Sequence, residues 1–196
     1  MEGVGLLHQI DMPGTSLGRD VKRHVTPLQA SDAPAYRDLM LEAYELAADS
    51  FTSIVAERAA EPRSWWVKRI ADPTGMSIAL GAFDDEDLVG TVAIEFSAKP
   101  KTKHRAHLIG MYVSPRARGT GAGRALLQAA IERVEAREDI LVLNLTVTEG
   151  NAPAVNLYLG AGFQAFGTEP MAILTPGGFK AKIHLWRQVS RRGNAP

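Results

Sequence analysis

The sequence contains no cysteine among its 196 residues. This absence excludes disulfide bonds, thiolate metal sites and a cysteine nucleophile. The 22 basic and 22 acidic residues leave a formal net charge of +0, so no overall field attracts nucleic acid or an acidic membrane surface. No apolar run approaches the roughly 20 residues that cross a bilayer, and the N-terminus lacks the pattern of a signal peptide. We therefore expect a cytoplasmic protein without a nucleic-acid or membrane partner.

The composition, with 45% apolar and 22% charged residues, is typical of one globular domain large enough to bury a core. Residues 1–22 carry glycine and proline without hydrophobic periodicity, so we expect them to form a flexible N-terminal tail. We place the domain at 23–190 and a short C-terminal tail at 191–196. No internal repeat or linker divides the domain.

Helical and strand-like patterns alternate along the domain. Helical spacing of apolar residues occurs at 36–47, 51–60, 64–71, 125–134 and 153–159. Runs that favour strands occupy 23–27, 76–83, 88–98, 107–113, 140–148, 163–169 and 178–189. This order predicts an α/β fold in which helices flank a mixed central β-sheet.

A glycine-rich turn near the middle of the chain predicts an anion site. The apolar strand 107–113 ends at Pro115, and the turn 118–123 has glycine at alternate positions before the helix 125–134 begins. Glycines let successive backbone N–H groups point at one anion, and the positive end of the helix dipole adds to the attraction. An arginine stands on either side of the glycines. These features indicate a place for a phosphate or pyrophosphate.

Three other interpretations of this turn were compared. A Walker loop requires lysine and then serine or threonine after its last glycine, whereas Arg124 and Ala125 follow here. A dinucleotide fingerprint requires G-x-G-x-x-G at a first strand, whereas this turn is G-x-G-x-G and lies past mid-chain. Glu149 occupies a place suited to the distal acid of that fingerprint, so position alone does not exclude it. A tight turn without any ligand is the third interpretation.

Two spaced motifs resemble those of a known family. Arg118-x-x-Gly121-x-Gly123, after a strand ending Tyr112-Val113-Ser114-Pro115, resembles the coenzyme A pyrophosphate motif of the GNAT N-acetyltransferases. The stretch 151–163, with Asn151, Tyr158 and Gly162-Phe163, resembles the second signature of that family. The resemblance covers roughly 25–189. It implies a GNAT-like single domain that transfers acetyl from acetyl-CoA to a primary amine by direct attack.

The resemblance also implies where the cofactor binds. Pantetheine would pair with the backbone edge of the central strand, and the pyrophosphate would lie on the glycine turn. The implied cofactor-binding residues are Met111, Tyr112, Val113, Arg118, Gly119, Thr120, Gly121, Ala122, Gly123, Arg124 and Asn151. For Met111 and Val113 the alternative is core packing, and for Asn151 it is capping of the helix that follows.

Tyr158 and His107 are the candidate catalytic residues. By resemblance, Tyr158 occupies the place of the general acid; a phenol stays protonated at neutral pH and can donate to a departing thiolate. The alternative is that Tyr158 only packs and hydrogen-bonds. His107 stands where many relatives have a glutamate base, and histidine can accept a proton near neutral pH. Strand alternation predicts that His107 faces the same way as Met111 and Val113.

Several alternatives stay open. His107 is a core residue in the simplest interpretation, and Glu95 and Glu149 are the other candidates for the base. The chain as a whole is either this acetyltransferase or a non-catalytic acyl-CoA-binding sensor or regulatory module, with a nucleotide-binding protein as a third alternative. The acceptor is a small-molecule or protein amine, and a homodimer is compatible with the resemblance. No metal is expected.

Overall fold

The computed structural model describes residues 22–190, so the tails predicted at 1–22 and 191–196 lie outside the described residues, Lys22 excepted. The strands are β1 (Arg23–Pro27), β2 (Ser77–Asp84), β3 (Asp87–Phe96), β4 (Arg105–Val113), β5 (Val142–Thr148), β6 (Gln164–Thr175) and β7 (Gly178–Gln188). The helices are α1 (Ala33–Leu46), α2 (Val55–Ala59), α3 (Arg63–Ile70), α4 (Ala122–Glu135) and α5 (Ala152–Gly160). Their ends fall within about four residues of the predicted ones, except that β6, predicted to end at 169, continues to Thr175 because it pairs with β7 up to the turn at Gly178.

All the strands belong to one sheet with the order β1-β2-β3-β4-β5-β7-β6. Neighbouring strands run antiparallel except β4 and β5, which are parallel. A parallel pair needs a crossover connection, and α4 supplies it. The predicted α/β fold, a mixed central sheet flanked by helices in a single domain, is therefore confirmed.

The sheet separates two hydrophobic cores. The first core lies on the face covered by α4, whose inward stripe repeats at helical spacing and consists of Leu126, Leu127, Ala130, Ile131 and Val134. The second core lies on the opposite face under α1 and α3, which contribute Tyr36, Leu39, Met40, Ala43, Tyr44, Trp66 and Ile70. Because each helical stripe is buried against a different face, the central strands are buried on both sides.

A β-bulge interrupts β4. Ala93 of β3 pairs with Ile109, but Thr91 pairs with Tyr112, so two residues of β4 stand opposite one residue of β3. Gly110 lies at this point with φ +59°, in the left-handed region that glycine adopts without a steric penalty. The bulge reverses the alternation of side chains along the rest of the strand.

The predicted alternation along β4 is therefore wrong beyond Ile109. Met111 and Val113 pack against the first core, whereas Ile109 packs against the second. His107 alternates with Leu108, so it shares the face of Ile109 and lies on the opposite side of the sheet from Met111. The sequence analysis assumed an unbroken strand, although an isolated glycine within a strand pattern is a known signal of a bulge.

The packing of α4 leads to a prediction about stability. Leu126 is fully buried in the first core, so Leu126→Ala removes apolar contacts and leaves a cavity. We expect the free energy of unfolding to fall by about 2–5 kcal/mol, measured by chemical denaturation. The control is Gln128→Ala on the exposed side of the same helix, which should change the free energy of unfolding by about 0.5 kcal/mol or less. A similar loss in both variants would contradict the assignment of the buried stripe.

Candidate active site

The site is built where two central strands separate. The parallel pairing of β4 with β5 ends at His107 and Asn144, although β4 continues to Val113 and β5 to Thr148. A cleft with a volume of about 930 Å³ opens there and is lined by the unpaired ends of both strands. Because the two strands no longer bond each other, backbone groups at these ends face the cleft instead of a neighbouring strand.

The glycine turn forms one end of the cleft. Gly119 and Gly121 have φ values of +74° and +90°, and no atom lies within 4 Å of a Cβ built at either position. Gly121 is the residue before the first turn of α4, and no side chain caps that turn. The first N–H groups of α4 are thus available to an anion, at the positive end of the helix dipole. Gly119, Gly121, Ala122 and Gly123 all line the cleft.

Both predicted arginines also line the cleft. Arg118 donates from Nε to the Val113 carbonyl at 3.0 Å, and its guanidinium lies 5.7 Å from the centre of the Tyr112 ring. These contacts fix the Arg118 side chain beside the end of β4. Arg124 is exposed in the first turn of α4. The turn therefore has two cations near its glycines, as an anionic ligand requires.

Two predicted cofactor residues direct their side chains elsewhere. The Thr120 hydroxyl donates to the Ala117 carbonyl at 2.6 Å and accepts from Arg23, and Thr120 is not among the residues that line the cleft. The Tyr112 hydroxyl donates to Glu42 Oε1 at 2.9 Å. Burial and this hydrogen bond raise the pKa of Tyr112 to about 12. Only the backbone of these two residues is left to take part in ligand binding.

Tyr158 is buried beside the separated strands. Its hydroxyl donates to the Met111 sulfur at 3.2 Å, and its ring meets Phe163 edge-on with centroids 5.8 Å apart. Burial raises the pKa of Tyr158 to about 12, so the phenol is protonated at neutral pH. Met111 and Tyr158 both line the cleft. The structure thus places Tyr158, the predicted general acid, beside the edge of β4 that faces the cleft.

Asn151 caps α5. Its side-chain oxygen accepts from the Ala154 backbone N–H at 3.2 Å, and its amide nitrogen donates weakly to Ser50 Oγ at 3.5 Å. Nearby, Thr148 lines the cleft with a buried hydroxyl that has no hydrogen-bond partner among the described residues. A buried polar atom without a partner is costly unless a ligand or water satisfies it. The sequence analysis missed Thr148, and no sequence signal identifies it.

His107 lies on the other face of the sheet, opposite Glu95 on β3. In the orientation that satisfies every neighbour, the Asn144 amide donates to His107 Nδ1 and to the Ala106 carbonyl, both at 2.8 Å, and accepts from Arg105 at 2.7 Å. A donor at Nδ1 leaves the proton of the neutral ring on Nε2. His107 and Glu95 both line the cleft, but Glu149 does not.

The wall of the cleft beyond His107 comes from the helical region between β1 and β2. Two arginines line this wall: Arg58, near the end of α2, and Arg69, in the last turn of α3. Trp65 lies between them in the sequence. The sequence analysis missed both arginines, because their approach depends on how α2 and α3 pack. Trp66, which follows Trp65 in the sequence, is buried in the second core.

The residues present fit acetyl-CoA. The open glycines and the start of α4 suit a pyrophosphate, and the unpaired edge of β4 suits an amide-bearing chain. The Thr148 hydroxyl, at the end of β5, adds an unsatisfied polar group to the cleft. Within residues 22–190, no group of three or more histidine and carboxylate side chains is placed to hold a metal ion. In the same range, no helix is long and apolar enough to cross a membrane.

Comparisons of the sequence with known proteins give named relatives. L-amino acid N-acetyltransferase AaaT of Escherichia coli (strain K12) is 32% identical over 122 residues, which are 62% of this chain and 74% of that protein. Mycothiol acetyltransferase of Brachybacterium faecium is 28% identical over 153 residues. That match covers 73% of this chain but spans only 46% of the mycothiol enzyme, less than half of its length.

Solved structures show the same fold. A GNAT-family acetyltransferase from Streptococcus pneumoniae superposes with a TM-score of 0.74 at 21% identity, covering 86% of this chain and 100% of that chain. The structure of yncA from Salmonella typhimurium with its cofactor acetyl-CoA superposes with a TM-score of 0.70 at 17% identity, covering 89% and 98%.

The sequence profile of the Acetyltransferase (GNAT) family matches residues 40–163, which include β4, the glycine turn and α5. The match covers well over half of the chain, and both motifs that carried the sequence resemblance fall inside it. The chain therefore belongs to the GNAT acetyltransferase family, whose acetyl donor is acetyl-CoA, and it is an N-acetyltransferase.

Proposed function

We propose that this protein transfers acetyl from acetyl-CoA to a primary amine by direct attack of that amine. The observation that supports this proposal is the cleft between the separated strands. It is lined by the glycine turn, by Tyr158 and by a carboxylate, Glu95, which lies on the opposite face of the sheet from Tyr158. Because the acid and the proton acceptor lie on opposite sides of the separated strands, two substrates can meet between them.

The proposed cofactor site uses backbone groups more than side chains. The edge of β4 at 111–113 offers N–H and C=O groups to a pantetheine chain, and the N–H groups of 119–123 surround the pyrophosphate. Arg118 and Arg124 supply charge, and Asn151 contributes by holding the start of α5 in place. When bound, acetyl-CoA supplies an acetyl group activated as a thioester.

Tyr158 is the proposed general acid. It holds its proton at neutral pH because burial raises its pKa to about 12, and its hydroxyl already directs that proton at a sulfur atom, the thioether of Met111. A phenol in this position can instead donate to a departing thiolate. The proposed role of Tyr158 is to protonate the sulfur as it leaves, so that coenzyme A departs as a neutral thiol.

Glu95 is the proposed proton acceptor for the ammonium group of the acceptor. His107, which the sequence analysis favoured, has its Nδ1 lone pair bound by Asn144 and carries its proton on Nε2. It is therefore suited to donate a hydrogen bond rather than to take a proton. Glu95 is exposed on the same face, directly opposite His107 in the β3–β4 pairing, and a carboxylate there has no competing donor among the described residues.

The acceptor is a primary amine of unidentified structure. The two curated relatives are named for L-amino acids and for mycothiol, so their names point to different acceptors. The proposed function is tested by incubating the protein with acetyl-CoA and a panel of amines and measuring release of the coenzyme A thiol. Release with at least one amine supports catalysis, and binding of acetyl-CoA without release for any amine would contradict it.

The glycine turn gives the first prediction about function. Gly121→Glu introduces a bulky carboxylate at a left-handed position where the pyrophosphate is proposed to bind. We expect the affinity for acetyl-CoA to fall at least about tenfold, or about 1.4 kcal/mol, measured by calorimetry. Gly75→Glu is the matched control, because Gly75 also has a positive φ and open space but lies outside the cleft. Equal affinity for acetyl-CoA in the two variants would contradict the proposal that the pyrophosphate binds at the glycine turn.

Tyr158→Phe tests the general acid. The change keeps the buried ring and deletes the proton donor, so kcat should fall by roughly 10²-fold, the usual scale for one proton-transfer group. The affinity for acetyl-CoA should change little, which shows that the site is intact. Because burial raises the pKa of Tyr158 to about 12, kcat of the unchanged protein should not decline between about pH 8 and 10. If the affinity for acetyl-CoA and kcat fall by the same factor, Tyr158 has a packing role and is not the proton donor.

Glu95→Gln and His107→Gln distinguish the two candidate proton acceptors. Both changes replace a titratable group by a neutral amide of similar size. We expect kcat/KM to fall by about 10²-fold in Glu95→Gln, the usual scale for one proton-transfer group, and to change much less in His107→Gln. Glu149→Gln, outside the cleft, is the control and should leave kcat/KM nearly unchanged. If His107→Gln alone loses about 10²-fold, His107 is the base after all.

A further inference from the structure

Two arginines meet over one indole ring in the wall of the cleft that faces the acceptor. The guanidinium carbon of Arg58 lies 4.7 Å from the centre of the Trp65 ring, and that of Arg69 lies 5.2 Å from it. Trp65 is half-buried, so its ring is a fixed platform for both side chains. Both guanidinium groups are thus held against the same ring, and together they make this part of the wall positive, which favours an anion.

The hydrogen bonds of Arg58 leave part of its guanidinium unused. One terminal nitrogen donates to Ser53 Oγ at 2.5 Å, and the other lies 3.6 Å from the Glu61 carboxylate, a separation too long for a good hydrogen bond. The Nε atom is buried and has no hydrogen-bond partner among the described residues. Since the side chain is only 26% exposed, Arg58 is oriented by its neighbours but not saturated by them.

Arg69 makes no ion pair among residues 22–190. Its nearest polar neighbour is Tyr36 in the second core. Burial raises the pKa of the Tyr36 hydroxyl, and the charge of Arg69 opposes that rise. A tyrosine hydroxyl does not neutralise a guanidinium, so the charge of Arg69 is left for a partner that enters the cleft.

Charges along the acceptor side of the cleft are unbalanced. Away from the glycine turn, the cations that line it are Arg58, Arg69 and Lys182, and the acid that lines it is Glu95. A primary amine in its ammonium form is attracted to Glu95 and repelled by the cations. An acceptor that carries a carboxylate as well as an amine matches both parts of this wall.

We propose that Arg58 and Arg69, supported by Trp65, bind a carboxylate of the acceptor and that the acceptor is therefore a free amino acid. The planar guanidinium presents parallel donors that fit a carboxylate, and stacking on an indole keeps that plane fixed. The carboxylate then lies at the arginines while the ammonium group turns toward Glu95. This assignment rests on the proposed function, because it concerns the second substrate of the same cleft.

The first test compares amino acids with their amides as acceptors. The common amino acids that carry a primary amine and the matching amino acid amides are assayed with acetyl-CoA, so each pair differs only in the negative charge. For the best pair, we expect kcat/KM to be at least about tenfold higher for the acid, mainly through KM. Arg58→Gln and Arg69→Gln should each remove most of this preference by lowering kcat/KM for the acid while leaving the amide nearly unchanged.

Matched variants separate lost recognition from lost folding. Lys68→Gln removes the same charge from the same helix as Arg69, but Lys68 is exposed and does not line the cleft, so the preference should persist. Arg58→Lys keeps the charge without the planar pair of donors and should retain part of the preference. Melting temperatures of all variants are measured alongside, and a preference lost in Lys68→Gln as well would overturn the assignment.

A binding experiment does not depend on turnover. N-acetyl-L-amino acids keep the carboxylate but have no reactive amine, and their stabilisation of the coenzyme A-loaded protein is measured by thermal shift against the N-acetyl amides. Stabilisation by an acid but not by its amide, lost in Arg58→Gln, supports the proposal.

The results distinguish this proposal from the proposed function. Acetylation of amides as fast as acids would overturn the carboxylate site and leave the N-acetyltransferase intact. If no member of either series is acetylated but another amine of the panel is, the amino acid assignment is overturned and the proposed function stands. If no amine of the panel is acetylated, the proposed function fails, and the thermal shift decides the carboxylate site by itself: equal effects of acids and amides, or none, overturn it.

Discussion

The site depends on the interruption of hydrogen bonding between β4 and β5. The two parallel strands pair only at their first residues, as far as His107 and Asn144, and then separate. The Gly110 bulge coincides with this separation and turns Met111 and Val113 toward the first core, away from the side of His107. Unpaired backbone groups inside a sheet are costly unless water or a ligand satisfies them, so the opening presents groups that a ligand can bind. The glycine turn follows where β4 ends, so its position depends on the same strand.

The opening connects the two faces of the sheet. Tyr158 and Met111 lie on the side covered by α4 and α5, whereas His107 and Glu95 lie on the side covered by α1 and α3. In the proposed mechanism, Tyr158, the proton donor for the leaving group, and Glu95, the proton acceptor for the incoming amine, are therefore separated by the plane of the sheet. Burial raises the pKa of Tyr158 to about 12, so the phenol keeps its proton at neutral pH on its side of the sheet.

The two ends of the cleft differ in how they carry charge. At the glycine turn, positive potential comes from backbone N–H groups and the helix dipole, with Arg118 and Arg124 in support. On the acceptor wall, it comes from side chains on short helices, with Arg58 and Arg69 stacked on Trp65. Backbone recognition is insensitive to side-chain identity, whereas the acceptor wall can change with single substitutions. If the proposed carboxylate site is right, α2 and α3 select the acceptor.

The sequence by itself determined the α/β class, the order of the elements, the glycine turn and the cap of α5 at Asn151, because these depend on neighbouring residues and on periodicity. Tertiary structure decided which faces and helices meet. The bulge reversed the predicted orientation of Met111 relative to His107, and the pairing of β4 with β5 placed the Asn144 amide on His107 Nδ1. Arg58 and Arg69 are eleven positions apart on separate helices, so only the packing of those helices could bring them to one indole ring.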